Sequence, residues 1–239
     1  MKSSRSPEIM LRPNESIDDF MEGRLKLIQS GAGYRFSMDA ILLSEFVTIK
    51  QGDTLVDLGT GCGIIPLVLI LTRPIGHAVG LEIQFDLVDQ AARNIILNRF
   101  ERKMGVVQGD IKHPPIASSS ADVVVCNPPY RQKNSGRINP DSQRAIARHE
   151  ILASLNDILN AARQILRAKG RLAMIYPAVR LVDLLVRMRG FDLEPKKIRI
   201  VYPGLQTEAK LALVEASLGG RGGLKVLPPL IDQGDFSIS

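Results

Sequence analysis

The chain has 239 residues, 45% of them apolar and 23% charged, enough for one large domain or two small ones with a proper core. Its 31 Lys and Arg against 25 Asp and Glu give a net charge of +6 and a pI near 9.5, a balance that favours an anionic partner. No apolar stretch reaches the length of a membrane span, and Lys2 and Arg5 precede no apolar run of a signal peptide. Cys62 and Cys126 lack metal-ligand spacing, so a cytoplasmic protein with reduced thiols and no metal is expected.

Residues 1–15 are polar without periodicity and read as a mobile N-terminus. Residues 16–50 read as an extension of hairpin and helix. Arg24–Gln29 alternates as a short strand, Gly31-Ala32-Gly33 turns the chain, and Ser37 caps a helix that sends Ala40, Ile41, Leu43 and Phe46 inward. From Asp53 strands and helices alternate: Thr54–Leu58, a helix from about Gly63, His77–Leu81, a helix over Phe85–Arg99, Gly105–Gln108 and Asp122–Cys126. Ile151–Leu166 has helical spacing and ends at Lys169-Gly170 as a C-cap. Arg171–Tyr176 is the next strand and Val179–Met188 the next helix, and Ile198–Tyr202 closes the sheet with Leu211–Ala216. Short apolar runs alternating with helices predict a doubly wound, Rossmann-like α/β fold around a mostly parallel seven-stranded sheet. It occupies residues 51–218, and the Gly- and Pro-rich stretch 219–239 is a tail, either an edge strand or irregular.

The segment Val56-Asp57-Leu58-Gly59-Thr60-Gly61-Cys62-Gly63 follows a strand and opens a helix, the setting of a nucleotide-binding loop. Gly59, Gly61 and Gly63 let backbone approach a ligand, and Asp57 either orders this loop or meets a cationic group. Glu82, 25 residues later at the next strand end, can accept both hydroxyls of a ribose, and Asp110 at the third strand end is placed for an adenine amine. Ile83 and Ile111, beside those acids, belong to the same candidate cofactor site. A dinucleotide dehydrogenase is the rival reading of the loop, but it leaves the fourth strand end unexplained.

That fourth end is Asn127-Pro128-Pro129-Tyr130. The NH2 of an amide or aromatic ring is a poor nucleophile because its lone pair is delocalised. An Asn side-chain oxygen and the carbonyl of the next residue can both accept its N–H protons, localising the lone pair as an electrophile approaches. Two prolines stiffen the turn that carries that carbonyl, and the Tyr ring offers a face for a planar substrate. Directly beyond, Arg131, Lys133, Arg137, Arg144 and Arg148 face one acid, Asp141; this is either a solvated surface or a phosphate-binding segment.

Taken together, Tyr34-Arg35-Phe36-Ser37-Met38-Asp39-Ala40, Gly80-Leu81-Glu82-Ile83-Gln84, Cys126-Asn127-Pro128-Pro129-Tyr130 and Ala147-Arg148-His149-Glu150 resemble the bacterial tRNA(Val) adenosine N6-methyltransferases. These belong to the class I S-adenosylmethionine-dependent methyltransferases, and the resemblance spans roughly residues 20 to 217. It implies S-adenosylmethionine as cofactor and structured RNA, most readily tRNA at the adenosine 3′ of the anticodon, as substrate. It implies that Asn127 and the Pro128 carbonyl bind the target amine and that Tyr130 stacks on the base. It further implies that Phe36 and Asp39 close over the methionine end of the cofactor. Arg148 and His149 match a segment near the substrate entrance, with Arg131, Lys133 and Arg137 nearby in sequence, although His149 can equally cap the following helix with Glu150. Asn-Pro-Pro-Tyr also occurs in the glutamine N5-methyltransferases of release factors, so that substrate stays open. A non-catalytic RNA-binding protein that keeps the fold is a third reading.

Overall fold

A computed structural model describes residues 10–31, 38–128 and 153–231. Strands β1 (Glu15–Phe20) and β2 (Leu25–Ser30) form an antiparallel hairpin, followed by α1 (Met38–Phe46). Next come β3 (Thr54–Leu58), α2 (Ile64–Thr72), β4 (His77–Glu82), α3 (Phe85–Leu97), β5 (Met104–Gln108) and β6 (Ala121–Cys126). The C-terminal part contributes α4 (Leu155–Ile165), β7 (Leu166–Pro177), α5 (Leu181–Gly190), β8 (Leu193–Tyr202) and β9 (Leu211–Leu218). Two short strands, β10 (Lys225–Val226) and β11 (Leu230–Ile231), complete the described chain.

The seven long strands of the sheet lie in the order β5-β4-β3-β6-β7-β9-β8. All pairings among them are parallel except those of β9, which runs antiparallel to both β7 and β8. β10 and β11 pair in parallel with β8, so part of the stretch 219–239 extends the sheet at this edge. The chain leaves β3 toward β4 and β5, then returns to the other side of β3 for β6. This reversal opens a crevice at the carboxyl ends of β3 and β6, where open α/β sheets bind ligands.

Strand alternation divides the core into two layers. Leu55, Ala78, Val123 and Val125 face the layer of α1 and α2, while Val56, Leu58, Leu81, Val124 and Cys126 face that of α4 and α5. Every residue of α2 from Ile64 to Ile70 is buried, which explains why this apolar run has no polar face. Pro66 fits there because it stands in the first turn, where its missing N–H has no intrahelical partner to lose. Among the described residues no helix is long and apolar enough to cross a membrane.

One strand goes beyond the sequence reading and one expectation is corrected. β1 is acidic and alternates poorly as Glu-Ser-Ile-Asp-Asp-Phe; it becomes a strand because Met21, Glu22 and Gly23, at φ 52°, 58° and 78°, turn it back onto β2. Lys169-Gly170 does not cap α4. The helix stops at Leu166, already extended at ψ 138°, and β7 begins there with a register shift against β6 before Arg171.

Candidate active site

Parallel register assembles the site. Leu58 lies beside both Leu81 and Cys126, so the residues that follow, Gly59, Glu82 and Asn127, emerge on one level of the carboxyl edge. Backbone hydrogen bonds staple these ends together: the N–H groups of Gly59 and Thr60 donate to the Leu81 carbonyl at 2.8 and 3.0 Å, and Gly109 N–H donates to the Glu82 carbonyl at 2.9 Å. Gly80 makes room for the loop, since a Cβ there would lie 2.6 Å from Cγ2 of Thr60. Gly59, Gly61 and Gly63 have φ of 75°, 57° and 85°, the left-handed region that favours glycine.

Glu82 and Asp57 sit in contrasting surroundings. Glu82, 5% exposed, ties the loop: its Oε2 accepts from Gly61 N–H at 3.0 Å, and its Oε1 accepts from the N–H groups of Ile83 and Gln84 at 3.0 Å each. Asp57 is the penultimate residue of β3. It is fully buried, and neither carboxylate oxygen has a hydrogen-bond partner among the described residues. Burial pushes its carboxyl from the ordinary 3.8 up to about 7; the Thr60 hydroxyl, close but outside hydrogen-bond geometry, opposes the rise and the Glu82 carboxylate adds to it. A buried acceptor pair with no donor among the described residues is costly to ionise.

This shift has a measurable consequence for the free protein. With a folded pKa above the unfolded one, Asp57 contributes stability that is complete below about pH 4 and is lost as pH rises through about 7. Asp57→Asn should flatten the pH dependence of thermal stability across that window and raise the midpoint at its upper end. An unaltered profile in a folded variant contradicts the burial of a strained acid.

The third acid, Asp110, is half-buried two residues beyond β5, and its Oδ1 accepts from Lys112 N–H at 2.9 Å. Ile83 and Ile111 are half-buried beside Glu82 and Asp110, and Ile111 packs on the layer of α4 and α5. Asn127 is half-buried and Pro128 buried. Asp39 is half-buried in the first turn of α1. Phe36, Pro129, Tyr130, Arg131, Lys133, Arg137, Arg148 and His149 lie outside the described residues. Cys62 and Cys126 are free and buried; burial pushes the Cys62 thiol up to about 12 and the Cys126 thiol well above its ordinary range, which suits packing and not nucleophilic attack. The loop role of Glu82 had no signal beyond its position.

The strand order, the switch-point crevice and the acids at successive strand ends define a class I methyltransferase. Solved structures agree on the fold. A predicted O-methyltransferase from Agrobacterium tumefaciens superimposes with a TM-score of 0.66 at 19% identity, over 82% of this chain and 88% of that one. The geranyl diphosphate C-methyltransferase of Streptomyces coelicolor, solved with S-adenosyl-L-homocysteine, gives 0.57 at 14% identity over 75% and 78%. The methyltransferase small domain family matches residues 37–180. A tRNA1(Val) (adenine(37)-N6)-methyltransferase of Porphyromonas gingivalis is 30% identical over 83% of this chain and 80% of its own length. One of the same name from Histophilus somni is 32% identical over 66% and 67%. The chain therefore belongs to the methyltransferase small domain family, together with the tRNA1(Val) (adenine(37)-N6)-methyltransferases.

Proposed function

We infer that the protein methylates N6 of an adenine in tRNA, using S-adenosylmethionine, at the adenosine 3′ of the anticodon. The observation that carries this reading is the common level of Gly59, Glu82 and Asn127 at the switch point, which sets a cofactor loop beside an amine-accepting Asn. When bound, S-adenosylmethionine supplies an electrophilic methyl group on a cationic sulfonium. The chain fits it: Asp57 offers an unpartnered buried carboxylate to its positive charge, Glu82 retains acceptor capacity for ribose hydroxyls, and Asp110 stands at the adenine side. Phe36 and Asp39 are assigned to its methionine end.

Asn127 does the chemistry-specific work. Its side-chain oxygen and the Pro128 carbonyl accept the two N–H bonds of the adenine amine and draw the lone pair out of the ring. Tyr130 holds the base by stacking. These contacts strengthen as the amine gains positive charge, so they favour the transition state over the ground state. The proton then leaves to solvent. A target in a loop is splayed into such a pocket more cheaply than one in a duplex. A cytoplasmic location belongs to the same reading.

The experiment is a partition of methyl groups from labelled cofactor between bulk tRNA and a release factor. Label in tRNA supports the reading; label only in the protein assigns the same Asn to a glutamine amide. Cofactor binding should tighten as pH rises toward and through about 7, with proton release, because a cation selects the ionised form of Asp57. Calorimetry in two buffers of different ionisation enthalpy measures that proton, and its absence in the wild type removes Asp57 from the cation. For the RNA, log affinity should fall with log salt, and replacing Arg131, Lys133 and Arg137 together by Ala should flatten the slope by about two to three. An unchanged slope in the folded triple variant removes the segment from the RNA interface.

A further inference from the structure

We propose that Asn94 is a positioning residue that couples the N-terminal hairpin to the cofactor loop. The proposal rests on the methyltransferase reading above.

Among the described residues β2 pairs with β1 along one edge, and its other edge meets side chains of α3 and its C-cap. A helix has no free backbone groups in mid-length to complete a strand, so this edge needs side-chain partners. Residues four apart on a helix share a face, and α3 presents three amides at that spacing: Gln90, Asn94 and Asn98. Asn98 accepts from Lys26 N–H at 2.9 Å and donates to the Lys26 carbonyl at 2.7 Å. Asn94 Oδ1 accepts from Ile28 N–H at 2.7 Å, and Gln90 Nε2 donates to the Ile28 carbonyl at 2.6 Å. The three amides thus stand in for a missing strand.

Asn94 does more than its neighbours. It is fully buried, and its Nδ2 donates at 3.0 Å to the carbonyl of Cys62, inside the glycine loop. Cys62 is flanked by Gly61 and Gly63, both at positive φ, and the Gly63 N–H donates to the Thr60 carbonyl at 3.0 Å. Glu82 holds the loop by the N–H of Gly61, and Asn94 holds it by the carbonyl of Cys62. A Cβ on Gly63 would lie 3.1 Å from Met104 Cε and in ordinary contact, 3.5 Å, with the Cβ of Ala91 on α3. Asn94 fixes the hairpin chiefly with its oxygen, its nitrogen reaching the Ile28 carbonyl at 3.5 Å while holding the loop at 3.0 Å, and a shift in hairpin or loop is felt by the other. Asn98 is the comparison residue: it binds the hairpin through Lys26, donates to the Asn94 carbonyl at 2.8 Å, and has no bond to the loop among the described residues.

The test is calorimetric titration of S-adenosylmethionine and steady-state kinetics on tRNA, using the full chain. Asn94→Asp keeps the acceptor for Ile28 but loses the donor to Cys62. It should weaken cofactor affinity about tenfold or more at about pH 8.5, with kcat at saturating cofactor and KM for tRNA changed by less than about twofold. Asn98→Ala should leave cofactor affinity within about twofold. Lowering the pH to about 6.5 protonates a buried carboxyl and restores an O–H donor to Cys62, so the Asn94→Asp deficit relative to wild type at the same pH should shrink. A purely structural Asn94 predicts equal losses in the two variants and no rescue. Unchanged affinity in a folded Asn94→Asp, or an equal defect in Asn98→Ala, overturns the proposal. If Asn94→Asp does not fold, Asn94→Ser, too short to reach the Cys62 carbonyl, is read by its affinity loss against that of Asn98→Ala, with no pH rescue expected. A wild type that binds no cofactor overturns instead the reading on which the proposal rests.

Discussion

Asn127→Ala should lose methyl transfer by about a hundredfold or more while its affinity for S-adenosylmethionine stays within a few-fold of wild type. The asymmetry follows from where Asn127 stands. It is the first residue beyond β6, beside the glycine loop but outside the ties that hold it, which run from Glu82 to Gly61 and from Asn94 to Cys62. Truncation leaves those ties intact and removes the acceptor for the reacting amine. Loss of one preorganised contact to developing charge typically costs a hundredfold to a thousandfold in turnover. Single-turnover methylation with saturating cofactor separates this from a binding defect. Full activity in a folded Asn127→Ala would refute amine polarisation by this side chain.

Glu82→Ala should show the opposite signature: affinity for both the cofactor and its demethylated product falls by about a hundredfold, and the protein melts at lower temperature. Its carboxylate serves three backbone N–H groups, those of Gly61, Ile83 and Gln84, as well as the ribose assigned to it. Each hydrogen bond to a charged group contributes about 1.5–3 kcal/mol, and its loss here also strands buried donors. Glu82→Gln retains the shape but turns a donor toward some of these N–H groups, so an intermediate loss is expected. Titration calorimetry with thermal melting measures both effects. Cofactor affinity unchanged in a folded Glu82→Ala would take Glu82 out of the site.

The parallel sheet was legible because its central strands are short, mostly apolar and punctuated by helices. Thr54–Leu58, His77–Glu82 and Ala121–Cys126 form within a residue of expectation, with Asp57, Glu82 and Asp122 as their only acids. The residues at their ends were legible for the same reason: a carboxylate or an Asn directly after an apolar strand has no part in the core. Harder to read was anything decided by long-range hydrogen bonding. β1 carries an acidic sequence and is held by its hairpin and by the ion pair of Glu15 with Arg93 on α3, 2.6 Å apart. The amides of Gln90, Asn94 and Asn98 look like a solvated helix stripe until β2 is placed against them. The division of labour between Asp57 and Glu82 depends on which side chain can reach the Gly61 N–H, a distance that no sequence spacing contains.

The central claim is that this crevice methylates the exocyclic amine of adenine in tRNA. Unmodified tRNA incubated with the protein and labelled S-adenosylmethionine, then digested to nucleosides and to mapped fragments, tests it most directly. Label is expected in N6-methyladenosine, confined to the fragment carrying the adenosine 3′ of the anticodon. Label on a ring nitrogen or a ribose, or in a release-factor glutamine with none in RNA, would contradict it.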